Sequence, residues 1–425
     1  MPPKMINRAL VPDTIIPSVL PKISFATHVL PNGVQLYESK GNEELVRISF
    51  YFKCGSLYSS KKGVVSALSK LLFSGTSTKN AYTIQEELDF YGAYTDIDTG
   101  YEHVSLTLFC VNHLVDKTLH FLVDVLHDIQ IPEEEFNLYK SKSIENLKVN
   151  QQKTSFHARR LFMQSLYGSE HPYGRSMEAQ DYENLKLSDV QSYYNETFVG
   201  SLDHIITNTP LPKELHAILG KFCRHTTKSI FHVSSIKEGE KIIQHPFDDA
   251  VQASLFLGMP CLTRHDADYP AWSLLITLFG GYFGSRLMKN IREDKGYTYG
   301  IGAGTHHLPE RAYLSIRSDV KNEVKEECVE EIYKEIARLK EETISEHELN
   351  TVKNYMLGAV QRSFDGSLSL CDRFKTLIDH NLDLDYYHSY TQSILTLSAE
   401  DLQKTAVNYL DTNKLHVISV GTFAK

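Results

Sequence analysis

The chain has 425 residues, 42% of them hydrophobic and 23% charged, and a net charge of −9 at pH 7. That length exceeds one ordinary core and implies two or more domains of a globular protein with average composition. The negative balance is spread along the chain and argues against a nucleic-acid surface; the local Lys140–Lys148 cluster reads as a charged helix face.

The six cysteines (54, 110, 223, 261, 328 and 371) are scattered, with no C-x-x-C pair. They read as small buried hydrophobes in a reducing compartment. Met1–Pro31 has no long apolar segment, and no stretch approaches the ~18 apolar residues of a membrane helix. Neither a signal peptide nor a span is expected, and the expected location is cytoplasmic.

In chain order, Val46–Phe52 alternates and is rich in β-branched and aromatic residues, which predicts a strand. A helix follows and ends at Leu71–Gly75. Ile131–Phe136 opens another helix behind a proline, and Leu185–Tyr194 leads into a closing strand, His204–Thr207. The same signals return about 200 residues later. Gln252–Gly258 is the strand and Thr277–Gly281 the helix end. Ile344–Leu349 is a helix start with a Ser-x-x-Glu capping box, and Leu395–Tyr409 leads to the strand His416–Ser419. Paired signals in one order imply a single unit used twice. Between the copies, 223–245 carries polar clusters around a short apolar stretch and reads as a linker. Val324, Cys328, Ile332, Ile336 and Leu339 recur at helical spacing.

Gly63-Val-Val-Ser66-Ala-Leu-Ser69-Lys70-Leu-Leu-Phe73-Ser-Gly75-Thr76 resembles the active-site helix of the inverted zincins, the pitrilysin/insulinase-like and mitochondrial-processing-type peptidases. Active members carry H-x-x-E-H in this frame, with two zinc-binding histidines and a glutamate as general base. Ser66, Ser69 and Lys70 stand at those positions here. The family's third ligand, a glutamate, falls on Asn146, and the neighbouring Glu145 lies about 100° around the helix. Zinc needs imidazole, carboxylate or thiolate ligands, and the Lys70 ammonium opposes a dication. This chain is therefore expected to hold no zinc of its own.

Ser285-Arg-Leu-Met-Lys-Asn-Ile-Arg292-Glu-Asp-Lys-Gly-Tyr-Thr-Tyr299-Gly is similar to the family's C-terminal motif S-R-L…[LI]-R-E-x-x-G-x-x-Y. The resemblance implies that Arg292 and Tyr299 reach across a cavity, hold substrate backbone and stabilise a developing oxyanion. A guanidinium and a phenol are suitable donors, and one such donor is worth about 10²–10³ in rate. The competing reading has Arg292 capping its helix or pairing with Glu293 or Asp294, and Tyr299 packed in the sheet. Gly280, Gly281 and Gly284 form a candidate substrate loop or, equally, a break between helices. They make no phosphate loop, lacking the Gly-Lys-Ser ending. His306 and His307, adjacent on a strand, point to opposite faces and are unsuited to one ion. His171–Arg175 reads as a tight loop between helices.

The resemblance runs from Leu30-Pro-Asn-Gly33 to Val420. It implies an α+β fold of two homologous domains, each a mostly antiparallel sheet with helices on one face. The expected divisions are 1–222 with the degenerate metal site, the linker 223–245, and 246–425 with the Arg/Tyr motif. Its functional implication is a non-catalytic subunit of a heterodimeric zinc peptidase acting on peptides. A homologous H-x-x-E-H subunit would supply the zinc, and this chain would contribute Arg292 and Tyr299. The alternative is a peptide-binding or scaffold protein with no proteolytic role, like the core proteins of respiratory complexes. Pairing of the isolated chain with itself is left open.

Overall fold

Residues 20–222 and 235–423 are described in the structure, a computed structural model of the chain. The first half supplies β1 (Phe25–Val29), β2 (Gln35–Ser39), β3 (Leu45–Phe52), β4 (Tyr94–Thr99), β5 (Val104–Val111) and β6 (Leu202–Thr207). They form one sheet in the order β1-β2-β6-β3-β5-β4, antiparallel except for the pair β2–β6. The second half supplies β7 (Ile242–Pro246), β8 (Gln252–Pro260), β9 (Thr298–Leu308), β10 (Arg311–Lys321) and β11 (His416–Gly421). Their order is β7-β11-β8-β10-β9, and again a single pair, here β7–β11, is parallel. Strand for strand, the second sheet repeats β2-β6-β3-β5-β4. The repeat read in the sequence is therefore one of topology as well.

The helices of the first half are α1 (Val64–Leu71), α2 (Ala81–Phe90), α3 (Val115–His127), α4 (Glu133–Asn150), α5 (Thr154–Tyr167), α6 (Ala179–Asn184), α7 (Leu187–Tyr193) and α8 (Lys213–Leu219). Those of the second are α9 (Tyr269–Ile276), α10 (Lys325–Glu341), α11 (Glu346–Arg362), α12 (Gly366–Asp379), α13 (Tyr386–Thr396) and α14 (Ala399–Tyr409). β5 alternates with Val104, Leu106, Leu108 and Cys110 buried, and these meet the apolar stripe of α3 (Leu119, Leu122, Leu126). In the second half Cys328, Ile332, Ile336 and Leu339 of α10 are buried in the equivalent core, as their spacing predicts. Ser345 caps α11 by accepting the Glu348 amide, while Pro132 stands at the cap of α4.

Helices of the same half cover one face of each sheet, as expected. The other face takes a helix from the opposite half. α5 lies across β8 and β11, where Phe162 stacks on Phe256 at 4.3 Å. α12 lies on the first sheet, where Phe374 stacks on Phe25 at 4.1 Å and Cys371 and Leu377 join Tyr51 and Ile206. The strands demand this cover. β8 is buried at every position from Ala253 to Met259, and β11 throughout, so both faces of the second sheet are apolar. Polar ties fix the exchange: Arg47 pairs with Asp372 at 2.7 Å, and Thr154 bonds Ser254 at 2.8 Å.

The expected linker 223–245 lies in part outside the described residues. Its described end rests on α5, with the Gly239 amide donating to the Ser165 carbonyl at 2.8 Å, and β7 begins at Ile242. Cys54, Cys110, Cys261, Cys328 and Cys371 are free thiols. Among the described residues no helix is long and apolar enough to cross a membrane.

The exchange predicts shared stability. Phe162 is fully buried, so Phe162→Ala should cost about 3–5 kcal/mol. In denaturant titration both halves should move together as one transition. A variant in which the second half melts separately, at an unchanged first-half midpoint, would contradict this reading of the interface.

Candidate functional site

The α1 frame persists for reasons of packing. Gly63 caps α1 at φ 79°, a left-handed conformation, and a Cβ there would come within 2.7 Å of the Met177 methyl. Gly75 bridges Asn80 and Thr76 bridges Ile129, while the Thr76 hydroxyl accepts the Lys79 amide at 3.0 Å. None of these contacts involves a metal, so the frame outlasts the loss of the ligands.

At the ligand positions the chemistry is that of a surface helix. Ser66 is exposed and takes a long hydrogen bond of 3.4 Å from the Tyr139 hydroxyl on α4. Burial pushes the Tyr139 phenol up, against the opposing effect of its contacts with Ser66 and Ser143. Ser69 is buried and donates to the Val65 carbonyl of its own helix at 2.9 Å. Lys70 is exposed in the last turn, where its charge suits the helix dipole. Asn146 and Glu145 are both exposed on α4. A hydroxyl, a back-bonded hydroxyl, an ammonium and an amide do not make a zinc donor set. The family's ion does not fit here, and no step of chemistry is routed through it.

The second half presents a different surface. After α9 the chain passes through a π-helical segment, Thr277–Gly281, and a second, Met288–Asp294, which carries the arginine motif. Gly280 is buried against β9, where a Cβ would lie 2.7 Å from the Ala303 amide nitrogen, so this glycine serves packing. Gly281 faces Thr277, and Gly284 belongs to the turn that presents Phe283.

Within the motif the residues divide cleanly. Arg286 makes a two-point ion pair with Glu348 of α11, 2.9 Å at each nitrogen. Asn290 donates to Glu331 and Glu335 of α10, and Leu287 and Ile291 are fully buried. These anchor the segment. Arg292 instead points away from them, its guanidinium 4.7 Å from the Phe283 ring and 5.2 Å from the Tyr299 ring. Among the described residues it has no ion pair, with neither Glu293 nor Asp294. Tyr299, second residue of the edge strand β9, is 88% exposed, and Phe283 is 63% exposed. The cation is thus oriented by two rings while its donors stay available. Phe283 is the member that sequence reasoning missed; its position directly before Gly284 was the available sign.

The remaining candidates take structural roles. His306 bonds Ser315 and stacks on Tyr313, while His307 bonds the Tyr269 hydroxyl at 2.9 Å. They have separate partners, as the strand geometry predicts. Burial, helped by Arg264, pushes His307 down to about 3. His171 is buried and accepts the Tyr173 amide at 3.1 Å, holding the tight loop that carries Arg175 to the Ser56 and Ser59 carbonyls.

Paired sheet-and-helix halves, a zincin helix without ligands and an exposed arginine/tyrosine array define a metallopeptidase-like chain without the family's metal set. Two family models match it: "Insulinase (Peptidase family M16)" over residues 34–179 and "Peptidase M16 inactive domain" over 198–356, together most of the chain. The chain belongs to this insulinase-like M16 family. It is 24% identical to an "Uncharacterized zinc protease" of Rickettsia felis, over 79% of this chain and 82% of the relative. It is 20% identical to the "Non-peptidase homolog YmxG" of Helicobacter pylori, over 83% and 80%. In fold it resembles the crystal structure of a peptidase M16 inactive domain from Pseudomonas fluorescens, with a TM-score of 0.84 at 20% identity, covering 94% of this chain and 98% of that one.

Two outcomes test the site. Arg286→Ala should cost on the order of 3 kcal/mol, because Glu348 is left largely buried and unpaired; an unchanged thermal midpoint would remove the anchoring role. Restoring Ser66→His, Ser69→Glu, Lys70→His and Asn146→Glu together should raise zinc affinity by calorimetry yet give feeble peptide hydrolysis. Such ligands need further groups to orient them, whose loss is expected along with the ligands; full activity would show that they are still in place.

Proposed function

We propose that this chain is the non-catalytic subunit of a heterodimeric zinc peptidase. A homologous partner with an intact H-x-x-E-H helix supplies the metal and the general base. This chain supplies Arg292 and Tyr299, which bind substrate backbone and stabilise the oxyanion formed at the partner's zinc. The observation that carries the reading is the contrast between the two halves: the metal positions carry no ligand, while Arg292 is held between Phe283 and Tyr299 with no acidic partner among the described residues. An exposed, preoriented pair of donors has no evident use inside this chain. Free, mostly buried cysteines fit a reducing compartment, and a cytoplasmic location is part of the proposal.

The second reading is a peptide-binding or scaffold protein. It is favoured by the relative named a non-peptidase homolog, and it uses the same exposed array without any chemistry.

The two separate in a reconstituted complex. With a zinc-bearing homologue the chains should associate, and Arg292→Ala or Tyr299→Phe should lower peptide cleavage on the order of 10²-fold, mainly in kcat. The isolated chain should show no chelator-sensitive hydrolysis. A complex that forms normally and cleaves at full rate with both residues changed would put the scaffold reading first.

A further inference from the structure

Beyond the degenerate helix, the first sheet brings together a second set of side chains that the sequence separates by about a hundred positions. Tyr51 of β3 pairs with His204, but Phe52 pairs with Leu202, so Asp203 is an extra residue in β6. A bulge of this kind re-aims a side chain that would otherwise alternate to the far face. Asp203 and His204 consequently share one side, with Asp203 Oδ2 2.9 Å from His204 Nδ1. His103, the residue before β5, brings its Nε2 to 3.8 Å from the same carboxylate oxygen. One donor atom from each of the three lies within 4.8 Å of the others, and among the described residues this is the sole such group of histidine, cysteine or acidic side chains.

We propose that His103 Nε2, Asp203 and His204 Nδ1 form a binding site for a divalent transition-metal ion of the zinc type, separate from the lost site on α1. Two imidazoles and a carboxylate are a zinc donor set, with one position left open. Zinc at about 2.0–2.1 Å from each ligand needs donors roughly 3.4 Å apart. The observed 2.9 and 3.8 Å bracket that spacing, so small side-chain rotations suffice. A purely structural Asp–His pair engages His204 Nδ1 but leaves the buried His204 Nε2 without a partner, and it does not account for His103. Its Nε2 is inaccessible to solvent and makes no hydrogen bond, at a distance too long for one and close to that of two ligands of a common ion. His204 ligates as neutral imidazole: its single ring proton shifts from Nδ1 to Nε2, which leaves Nδ1 free for the ion.

The surroundings are prepared for an ordered centre. His204 is 3% exposed and stacks on Tyr51 at 4.6 Å, which fixes its ring. Lys375, over the Tyr51 ring, pairs with Asp379, and Lys53, directly after β3, pairs with Glu102 at 3.4 Å. His103 also lines a cavity of about 220 Å³ bounded by Tyr51, the His307–Pro309 end of β9 and α12. An ion held by these three residues would join the start of β5 to β6. This site departs from the expectation that the chain holds no metal, and it does not depend on the partner proposed above.

The test uses the full chain, loaded with cobalt(II) or zinc(II) and dialysed, with metal content read by mass spectrometry and the cobalt visible spectrum. Wild type should hold about one ion per chain with a tetrahedral-type spectrum. His103→Gln and Asp203→Asn should each weaken binding by more than about 100-fold, the range for mere supporting groups being 10–100-fold. The double variant Ser66→Ala, Lys70→Ala should bind as wild type does. If Asp203→Asn does not fold, the partly exposed His103→Gln decides. Wild type holding well under one ion, His103→Gln binding as tightly as wild type, or loss of the ion in the α1 variant would each overturn the proposal.

Discussion

The arrangement of the two halves depends on the central strands of the second sheet being buried on both faces. A sheet with one polar face can close a domain with its own helices alone. β8 and β11 cannot, because their side chains are buried on either side and one set of helices covers only half of that surface. The solution is reciprocal. Each half lends the helix after its long charged helix, α5 after α4 and α12 after α11, to the sheet of the other. The two modules are therefore one folding unit with two cores and two shared interfaces.

The division between what persisted and what was lost follows the same physics. Positions 63, 75 and 76 are held by backbone conformation and strand bridging, and substitution there would cost stability whatever the protein does. Positions 66, 70 and 146 are exposed and touch little, so the fold tolerates serine, lysine or asparagine without strain. Residue 69 is the informative exception. It is buried, yet a serine satisfies itself there by bonding back to Val65, which removes the need for a polar partner. At none of the four positions is a buried polar group left without a partner.

Much of this was legible in the chain. The repeat and the paired strands and helix starts rest on local patterns of period two or near four, which survive in sequence, and the arginine motif was read from its resemblance to the family's. The exchange of α5 and α12 was less visible. Its only sign was the unbroken apolar run of β8 and β11, which says that a second face must be covered but not by what. The rule that neighbouring strand residues face opposite ways read His306 and His307 correctly. The same rule fails at Asp203 and His204, because an extra residue in β6 turns both to one side, and nothing local announces that bulge. Likewise, Arg292 was recognised from its motif, but the placing of the Phe283 ring against it follows from the path of the chain between two π-helical segments, of which Gly284 is the only local sign.

The helix exchange also bears on whether the two halves of the chain could part. Separating the two halves of this chain would strip α5 from β8 and β11 and expose Phe162, Phe256, Tyr313 and Ile418 together. It would also strip α12 from the first sheet and break the Arg47–Asp372 pair. At about 1.5–3 kcal/mol for each large apolar side chain returned to water, such an opening approaches the cost of unfolding. The halves therefore move as one body, and a single chain makes one fixed wall. On the proposed reading, admission of a peptide must come from relative motion of two chains. The exposed Arg292–Tyr299 array then meets its substrate only when a second wall closes over it, which ties any chemistry at this surface to association and gives an isolated chain none.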